Sequence, residues 1–332
     1  MKLVVVVGTT ATGTIDGISA AGASPAMTKQ TPVADAEILT YGAPVFAPGV
    51  PVSPTGCPSP SLVTRAGLDL LNIDVTIVDA GLAARSAAPA VRVDVEPGGD
   101  VRFAEPVPDA SVAFHEGSRV AAAMQDESVM IAESIPGGTT SAMGVLEALG
   151  EPNSVSSSLP ENPLERKREV VEGGLEASGV GPGDLEGNPV EAVRRIGDPV
   201  LGTVAGLIEG FADRGASVTL AGGSQMIAAA ALARHDGVDA PLSVATTSFV
   251  EADSSFDLET ATSRLDLTAV TTDPHFDDLD HVAFERFVRG EAKEGVGMGG
   301  ILDRVASSSV GFDRLHDRIR WYYDRLVGED GP

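Results

Sequence analysis

The chain has 332 residues, 43% of them hydrophobic, and a net charge of −25 from 48 acidic against 23 basic side chains. That length and hydrophobic content allow one large domain or two smaller ones with ample core, and the charge argues against nucleic acid or an anionic membrane as partner. Lysine occurs only at Lys2, Lys29, Lys167 and Lys293. An acidic, lysine-poor surface reads as adaptation to high salt, where screening removes self-repulsion, with an acidic mesophilic protein as the alternative.

Residues 3–8, Leu-Val-Val-Val-Val-Gly, are a continuous β-branched run ending in glycine, which predicts a buried parallel strand. The run is too short for a signal peptide and nothing approaches transmembrane length, so a soluble cytoplasmic protein is expected. The loop 9–18 is rich in glycine and threonine and lies at the strand's carboxyl end, where ligands collect in such sheets. Its Gly-Thr-Thr-Ala-Thr-Gly lacks the spacing of a nucleotide fingerprint. Residues 18–31 read as a small polar loop, 35–41 as helix, 45–60 as a proline-rich loop, and 61–72 as a helix with Leu62, Leu68 and Leu71 inward. Cys57 is the only cysteine, which excludes a disulfide framework and a zinc motif; it reads as a packing residue rather than a nucleophile. Residues 73–81 are a second strand ending in Asp79 and Gly81, where an aspartate either bonds a sugar hydroxyl or caps the next turn. Pro89, Pro97, Pro106 and Pro108 break 83–118 into loop and short strands, and 116–126 reads as helix before a strand at 128–131.

The stretch 132–150, AESIPGGTTSAMGVLEALG, organises the chain. Residues 134–140 hold too much glycine and hydroxyl for helix interior, whereas Met143, Leu146 and Leu149 recur on one face of a helix from Ala142 onward. Free N–H groups and the positive end of the helix dipole would then face Gly137, Gly138, Thr139 and Thr140, an arrangement that binds phosphate; the alternative is an ordinary strand-to-helix turn. It is neither a Walker loop nor a GxGxxG site. Beyond it come a serine-rich turn at 154–163, helices at 164–175, 188–197, 200–211 and 226–233, and strands at 217–224, 242–249 and 267–272. The helix 282–288 leads to GEAKEGVGMGG, 290–300, which sets Glu294 among glycines before a helix at 301–307. Glycine at that density lets a ligand approach the backbone, and a carboxylate held there could act as a general base. Residues 312–327 read as a packing or dimer helix anchored by Trp321 and Tyr322. Asp277, Asp278 and Asp280 with His275 and His281 read as a solvated acidic helix start rather than a metal site.

Glu-Ser-Ile-Pro-Gly-Gly-Thr-Thr, 133–140, followed by Lys-Glu-Gly-Val-Gly-Met-Gly, 293–299, resembles the nicotinate-nucleotide–dimethylbenzimidazole phosphoribosyltransferase family, in particular its archaeal branch of uncertain substrate. The resemblance covers nearly the whole chain. It implies an α/β fold over 1–332, an open, mainly parallel Rossmann-like sheet with helices on both faces, a small helical subdomain built from the terminal segments, and a C-terminal packing or dimer segment at 301–327. The ligand would lie at the strand carboxyl ends.

Family register makes Glu294 the general base, with Glu291 as internal rival, and Glu133 a second active-site glutamate orienting ribose or base. Gly137, Gly138, Thr139, Thr140, Ser157 and Lys167 would hold phosphate and ribose; Lys167 has the alternative of a solvated helix face beside Arg166 and Arg168. Ser24, Met27 and Gln30 would meet the base, with Pro25 packing against it, although a helix cap at Ser24 with Pro25 following explains Ser24 equally well. At 221–223 Ala-Gly-Gly replaces the family's aspartate, so no acidic role carries over there.

The implied reaction moves phosphoribose from nicotinate mononucleotide to dimethylbenzimidazole or a related nitrogen base, making the α-riboside phosphate of a cobamide lower ligand, in a homodimer. Nicotinate leaves from a cationic pyridinium, so neither a metal nor another cofactor is expected. A non-catalytic nucleotide-binding protein of the same fold is the alternative, because serines replace glycines at the second phosphate loop. A nicotinamide-dependent oxidoreductase lacks its fingerprint.

Overall fold

The computed structural model of the chain describes residues 1–19, 21, 22 and 24–328, and only the backbone of Pro25. Ala20 and Ala23, in the stretch read as a small polar loop, and the Pro25 side chain, expected against a base, lie outside the described residues.

The strands are β1 (Lys2–Val7), β2 (Asp74–Asp79), β3 (Ala90–Arg92), β4 (Ser128–Ser134), β5 (Ser217–Ala221), β6 (Leu242–Thr247) and β7 (Leu267–Thr272). They form one 7-stranded sheet in the order β3-β2-β1-β4-β5-β6-β7, with every pairing parallel. The first strand shows why. Val4 and Val6 enter one core, while Leu3, Val5 and Val7 enter the other, as a strand buried on both faces requires.

Between β1 and β2 lie α1 (Pro25–Thr28), α2 (Thr31–Tyr41) and α3 (Ser61–Leu71); α4 (Ala110–Ala123) follows β3. After β4 come α5 (Gly138–Leu149), α6 (Leu164–Ser178), α7 (Pro189–Ile196) and α8 (Pro199–Asp213), and after β5 comes α9 (Ser224–His235). Next are α10 (Ser248–Glu251) and α11 (Leu258–Arg264) before β7, then α12 (Val282–Val288), α13 (Met298–Ala306) and α14 (Phe312–Leu326). Helices α4 to α9 share one core with Val4 and Val6. On the other face α2 and α3, from early in the chain, share a core with α12, α13 and α14, from its end.

The terminal helices thus pack together as expected, and they do so as one layer of the sandwich. Tyr322 ties them: its hydroxyl donates to Asp69 Oδ2 at 2.6 Å and accepts from Arg65 Nε at 3.1 Å. Trp321, expected as a second anchor, is 47% exposed with Arg325 over its ring. The buried stripe of α14 runs Leu315, Ile319, Tyr322, Tyr323, and Trp321 falls off that face.

Several elements differ from the sequence reading, among them helix α2, which begins at Thr31 rather than residue 35, strand β4, which runs to Ser134, and helix α13, which begins at Met298 rather than residue 301. Helix α4 begins at Ala110 rather than residue 116, because Pro108 precedes the helix instead of interrupting it, and Ala110, Ala113, Phe114, Gly117 and Ala121 supply its buried face. Helix α11 was not anticipated; Asp257 caps it by accepting from Thr260 N–H at 2.9 Å. Helix α5 begins at Gly138 rather than Ala142, since Gly137, with φ 87°, turns the chain into the helix.

Candidate active site

From β1 the chain moves outward through β2 to β3, then returns to β4 on the other side of β1. In a doubly wound sheet the crevice outside the carboxyl ends at that reversal is the ligand site. Register places Val7 beside Ser134, so the segments leaving β1 and β4 face each other there. They touch closely: a Cβ on Gly13 would come within 2.3 Å of the Pro136 carbonyl, and one on Gly137 within 2.5 Å of Gly13 Cα. Glycine is required at both positions.

This crevice opens into a concave cleft of about 140 Å³, the setting that small-molecule sites favour. The first turn of α5 borders it through Gly137, Gly138 and Thr139. Thr140, expected in the same role, lies fully buried behind them, its hydroxyl without a partner among the described residues. Gly138 N–H already donates to the Ile135 carbonyl at 3.2 Å and Thr140 N–H to the Gly137 carbonyl at 3.0 Å; the helix dipole with the Thr139 N–H favours an anion here.

The loop 290–297 closes a second side. Ala292, Gly295, Val296 and Gly297 all have positive φ, at 45°, 144°, 56° and 84°. For a β-branched residue such as Val296 that is a strained conformation. It is held in place by the Val296 N–H, which donates to the Glu133 carbonyl at 3.0 Å. The Glu294 carboxylate accepts from the N–H groups of Gly295 and Gly299, both at 3.0 Å, at the start of α13. Burial nevertheless pushes Glu294 up to about 8 against the pull of those donors, with part of the residue open to the cleft.

Glu133, at the end of β4, accepts from Ile135 N–H at 3.0 Å. Burial first, then the charges of Asp198, Glu294 and Asp35, push it up to about 8 as well. Both cleft glutamates are therefore poised to exchange protons near neutral pH, as general acids and bases must be. Asp35 borders the cleft too; it accepts from Ser59 Oγ at 2.5 Å and Ser134 Oγ at 2.7 Å.

Of the residues expected at the site, Glu133, Glu294, Gly137, Gly138, Thr139 and Ser157 line the cleft together. Lys167 does not: it is fully buried, its Nζ donating to the Ser156 carbonyl at 3.0 Å. It is therefore not on a solvated helix face either. Burial and the neighbouring Lys293 pull it down to about 7. Ser24, Met27 and Gln30 also fall outside the lining, and Ser24 Oγ accepts from Met27 N–H at 3.3 Å as a helix cap. Ser19, Gly22 and Thr31 occupy that side instead. Glu291 is not among the residues that line the cleft; its carboxylate accepts from the hydroxyls of Ser53 (2.7 Å), a lining residue, and Thr55, and pairs with Arg286. Asp79 Oδ1 accepts from the N–H groups of Gly81 and Leu82, at 3.1 and 2.9 Å, so it caps its turn.

Lys293, Asp35 and Gln225 line the cleft and were not expected there. Lys293 carried a signal, a rare lysine next to the candidate base. So did Asp35, an acid in a helix otherwise buried through Val33, Ala34, Ala36, Ile38 and Leu39. Gln225 carried none. Among the described residues, no group of three or more His, Cys, Asp or Glu converges as metal ligands, and no helix is long and apolar enough to cross a membrane.

The fold is that of two structures from Thermus thermophilus. A nicotinate-nucleotide-dimethylbenzimidazole phosphoribosyltransferase superposes with TM-score 0.62 over 99% of this chain and 85% of the other, and a protein described as CobT with TM-score 0.63 over the same shares, both at 18% identity. No family model matches the chain. Its relatives place it plainly: the chain belongs to the UPF0284 family. It is 51% identical to a UPF0284 protein of Halobacterium salinarum across 96% of each chain, and 37% identical to one of Methanothermobacter thermautotrophicus across 94% of this chain and 89% of the other. The relative from a halophile accords with the acidic, lysine-poor surface.

Proposed function

We propose that the protein transfers phosphoribose from nicotinate mononucleotide to dimethylbenzimidazole or a related nitrogen base, releasing nicotinate and giving an α-riboside phosphate for a cobamide lower ligand. One observation carries this reading: a raised glutamate, Glu294, shares a cleft with the anion-favouring turn Gly137, Gly138 and Thr139 at the sheet's reversal point.

The 5′-phosphate sits at the first turn of α5, where the Thr139 N–H and the dipole meet its charge. An acceptor nitrogen attacks C1′ from the face opposite the pyridinium. The C1′–N bond breaks with its electron pair leaving on the nicotinate nitrogen, and the acceptor's second ring nitrogen gives its proton to Glu294. A residue pushed up to about 8 holds a proton at pH 7 before substrate arrives. The arriving pyridinium cation favours the carboxylate form, so the base is armed by its substrate. Glu133 orients ribose or base from the strand end. Holding nucleophile and C1′ in line supplies much of the remaining acceleration. The protein works as a homodimer in the cytoplasm, which light scattering and localisation would test.

The deciding experiment follows nicotinate release from nicotinate mononucleotide at high salt, with dimethylbenzimidazole and adenine as acceptors, for wild type and Glu294→Gln. Release that needs an acceptor and vanishes in the variant is expected. Tight binding of the mononucleotide with no release in either protein would replace this reading by a nucleotide-binding one, and no binding would remove both.

A further inference from the structure

An anion at the start of α5 needs more than that turn supplies. With the N–H groups of Gly138 and Thr140 already given to carbonyls, the turn offers one donor, the Thr139 N–H. No free cation helps. Lys293 is the only Lys or Arg among the lining residues, and its Nζ donates to the carbonyls of Ser157 at 3.0 Å and Leu159 at 2.9 Å and lies 3.3 Å from Asp253 Oδ2. An ammonium has three donors, and those acceptors use them all.

A second helix, α9, also begins on the cleft, through Gly223, Ser224 and Gln225. The N–H groups of Met226 and Ile227 donate to the Gly223 carbonyl at 3.0 and 3.1 Å, whereas those of Ser224 and Gln225 have no partner among the described residues. A helix start leaves such donors and the positive end of a dipole, and here two starts share one wall. The Gln225 side chain reaches from one to the other: a Cβ on Gly138 would come within 2.3 Å of Gln225 Nε2 and 2.9 Å of its Cδ. The amide thus fills the space that a side chain at 138 would need. Polar groups in so enclosed a place ordinarily find partners. Among the described residues the other polar side chains lining the cleft are engaged within the chain, but the Gln225 amide and the Thr139 hydroxyl make no hydrogen bond there. Two unspent groups therefore stand side by side at the start of α5.

We propose that Gln225 is a specificity-determining residue that touches the ligand: reaching from the start of α9 to that of α5, its amide donates to the phosphate oxygens of the nucleotide. The inference rests on the phosphoribosyl reading above. A hydrogen bond to a charged acceptor is among the strong ones, and the amide brings two N–H donors without a charge of its own. That neutrality matters here. A Cβ on Gly223 would lie 3.9 Å from Glu294 Cβ, so an ammonium or guanidinium at the start of α9 would draw the Glu294 carboxylate to itself and lower it. An amide grips the phosphate and leaves the base alone.

The test is calorimetric titration at high salt of wild type, Gln225→Met and Gln225→Glu with nicotinate mononucleotide, its phosphate-free riboside and inorganic phosphate. Methionine keeps the length and loses the donors; glutamate keeps the shape and puts a negative charge in their place. In Gln225→Met the Kd for the mononucleotide and for phosphate should rise about tenfold or more, the Kd for the riboside should stay within about twofold, and kcat at saturation within about threefold. Gln225→Glu should weaken both anions further. Because the side chain makes no hydrogen bond within the chain, both variants should melt within about 2 °C of wild type. An unchanged Kd for the mononucleotide in both variants overturns the inference, and so does equal weakening of the riboside, which puts the amide on sugar or base or marks general damage. A wild type that binds and transfers while both variants behave like it removes this inference alone. A wild type that binds neither mononucleotide nor phosphate removes the phosphoribosyl reading with it.

Discussion

Gly299 donates its backbone N–H to the Glu294 carboxylate at 3.0 Å, and a Cβ at position 299 would lie 2.6 Å from Glu294 Oε2. The same Cβ would meet Thr246 Cα at 2.5 Å and the Ala245 carbonyl at 2.7 Å, so backbone as well as the carboxylate must give way. Helix α13 is therefore pressed against the end of β6 with the candidate base in the seam. Gly299→Ala should displace Glu294 and lower nicotinate release by about a hundredfold, since a misplacement near 1 Å costs about that much. Turnover near wild type would separate Glu294 from the chemistry.

Glu291 and Glu294 should part company on substitution. Glu291 is fastened to Ser53, Thr55 and Arg286 outside the cleft lining, so Glu291→Gln should lower stability by roughly 1–3 kcal/mol, the cost of a disrupted buried polar group, and leave kcat within a few-fold. Glu294→Gln should do the reverse. Thermal melts and steady-state rates on the two variants decide it; the opposite pattern would make Glu291 the base.

The raised glutamates also set a pH dependence with a definite sign. Glu133 and Glu294 stand at about 8 in the fold against 4.5 as the ordinary value. Between those values the folded state holds more protons than the unfolded one, so stability falls as pH rises from about 5 to about 8. Activity should run the other way, because proton abstraction needs the carboxylate. Melting temperature followed across that window should flatten in Glu133→Gln and in Glu294→Gln. A wild-type profile that already rises toward pH 8 would contradict the assignment.

Gly137→Ala tests the crossing of the loops that leave β1 and β4. It combines φ 87° with a 2.5 Å approach to Gly13 Cα, and should cost about 1–3 kcal/mol from backbone strain alone, with weakened mononucleotide binding. Denaturant unfolding together with calorimetry would show both losses, or refute the contact.

A net charge of −25 predicts that stability climbs with salt. Screening shortens from a Debye length of about 10 Å at 0.1 M to about 3 Å at 1 M, removing self-repulsion. Melting points measured from 0.1 to 2 M KCl should rise steadily; a flat series would mean the acidic surface is not an adaptation to salt.

Much of this protein was written locally in the chain. The β-branched run at the start, the strand ending in Asp79, the strand into Glu133 and the helix from Phe312 were all legible, because hydrophobic periodicity and glycine punctuation act over a few residues. So was the glycine turn at Gly137 that leads into a helix, and so was Glu294 as an acid among glycines. Other features depended on distance. Glu291 and Glu294 stand in near-identical sequence surroundings, and only the proline-rich loop, brought in from some 236 residues away, claims one and leaves the other to the cleft. Lys167 looked like a ligand-binding cation until the Ser156 carbonyl and Lys293 were seen around it. The raised position of Glu133 comes from burial and then from Asp198, Glu294 and Asp35, acids far apart in sequence that only folding brings near. Burial and charge proximity are properties of the packed molecule, and no local pattern of residues encodes them.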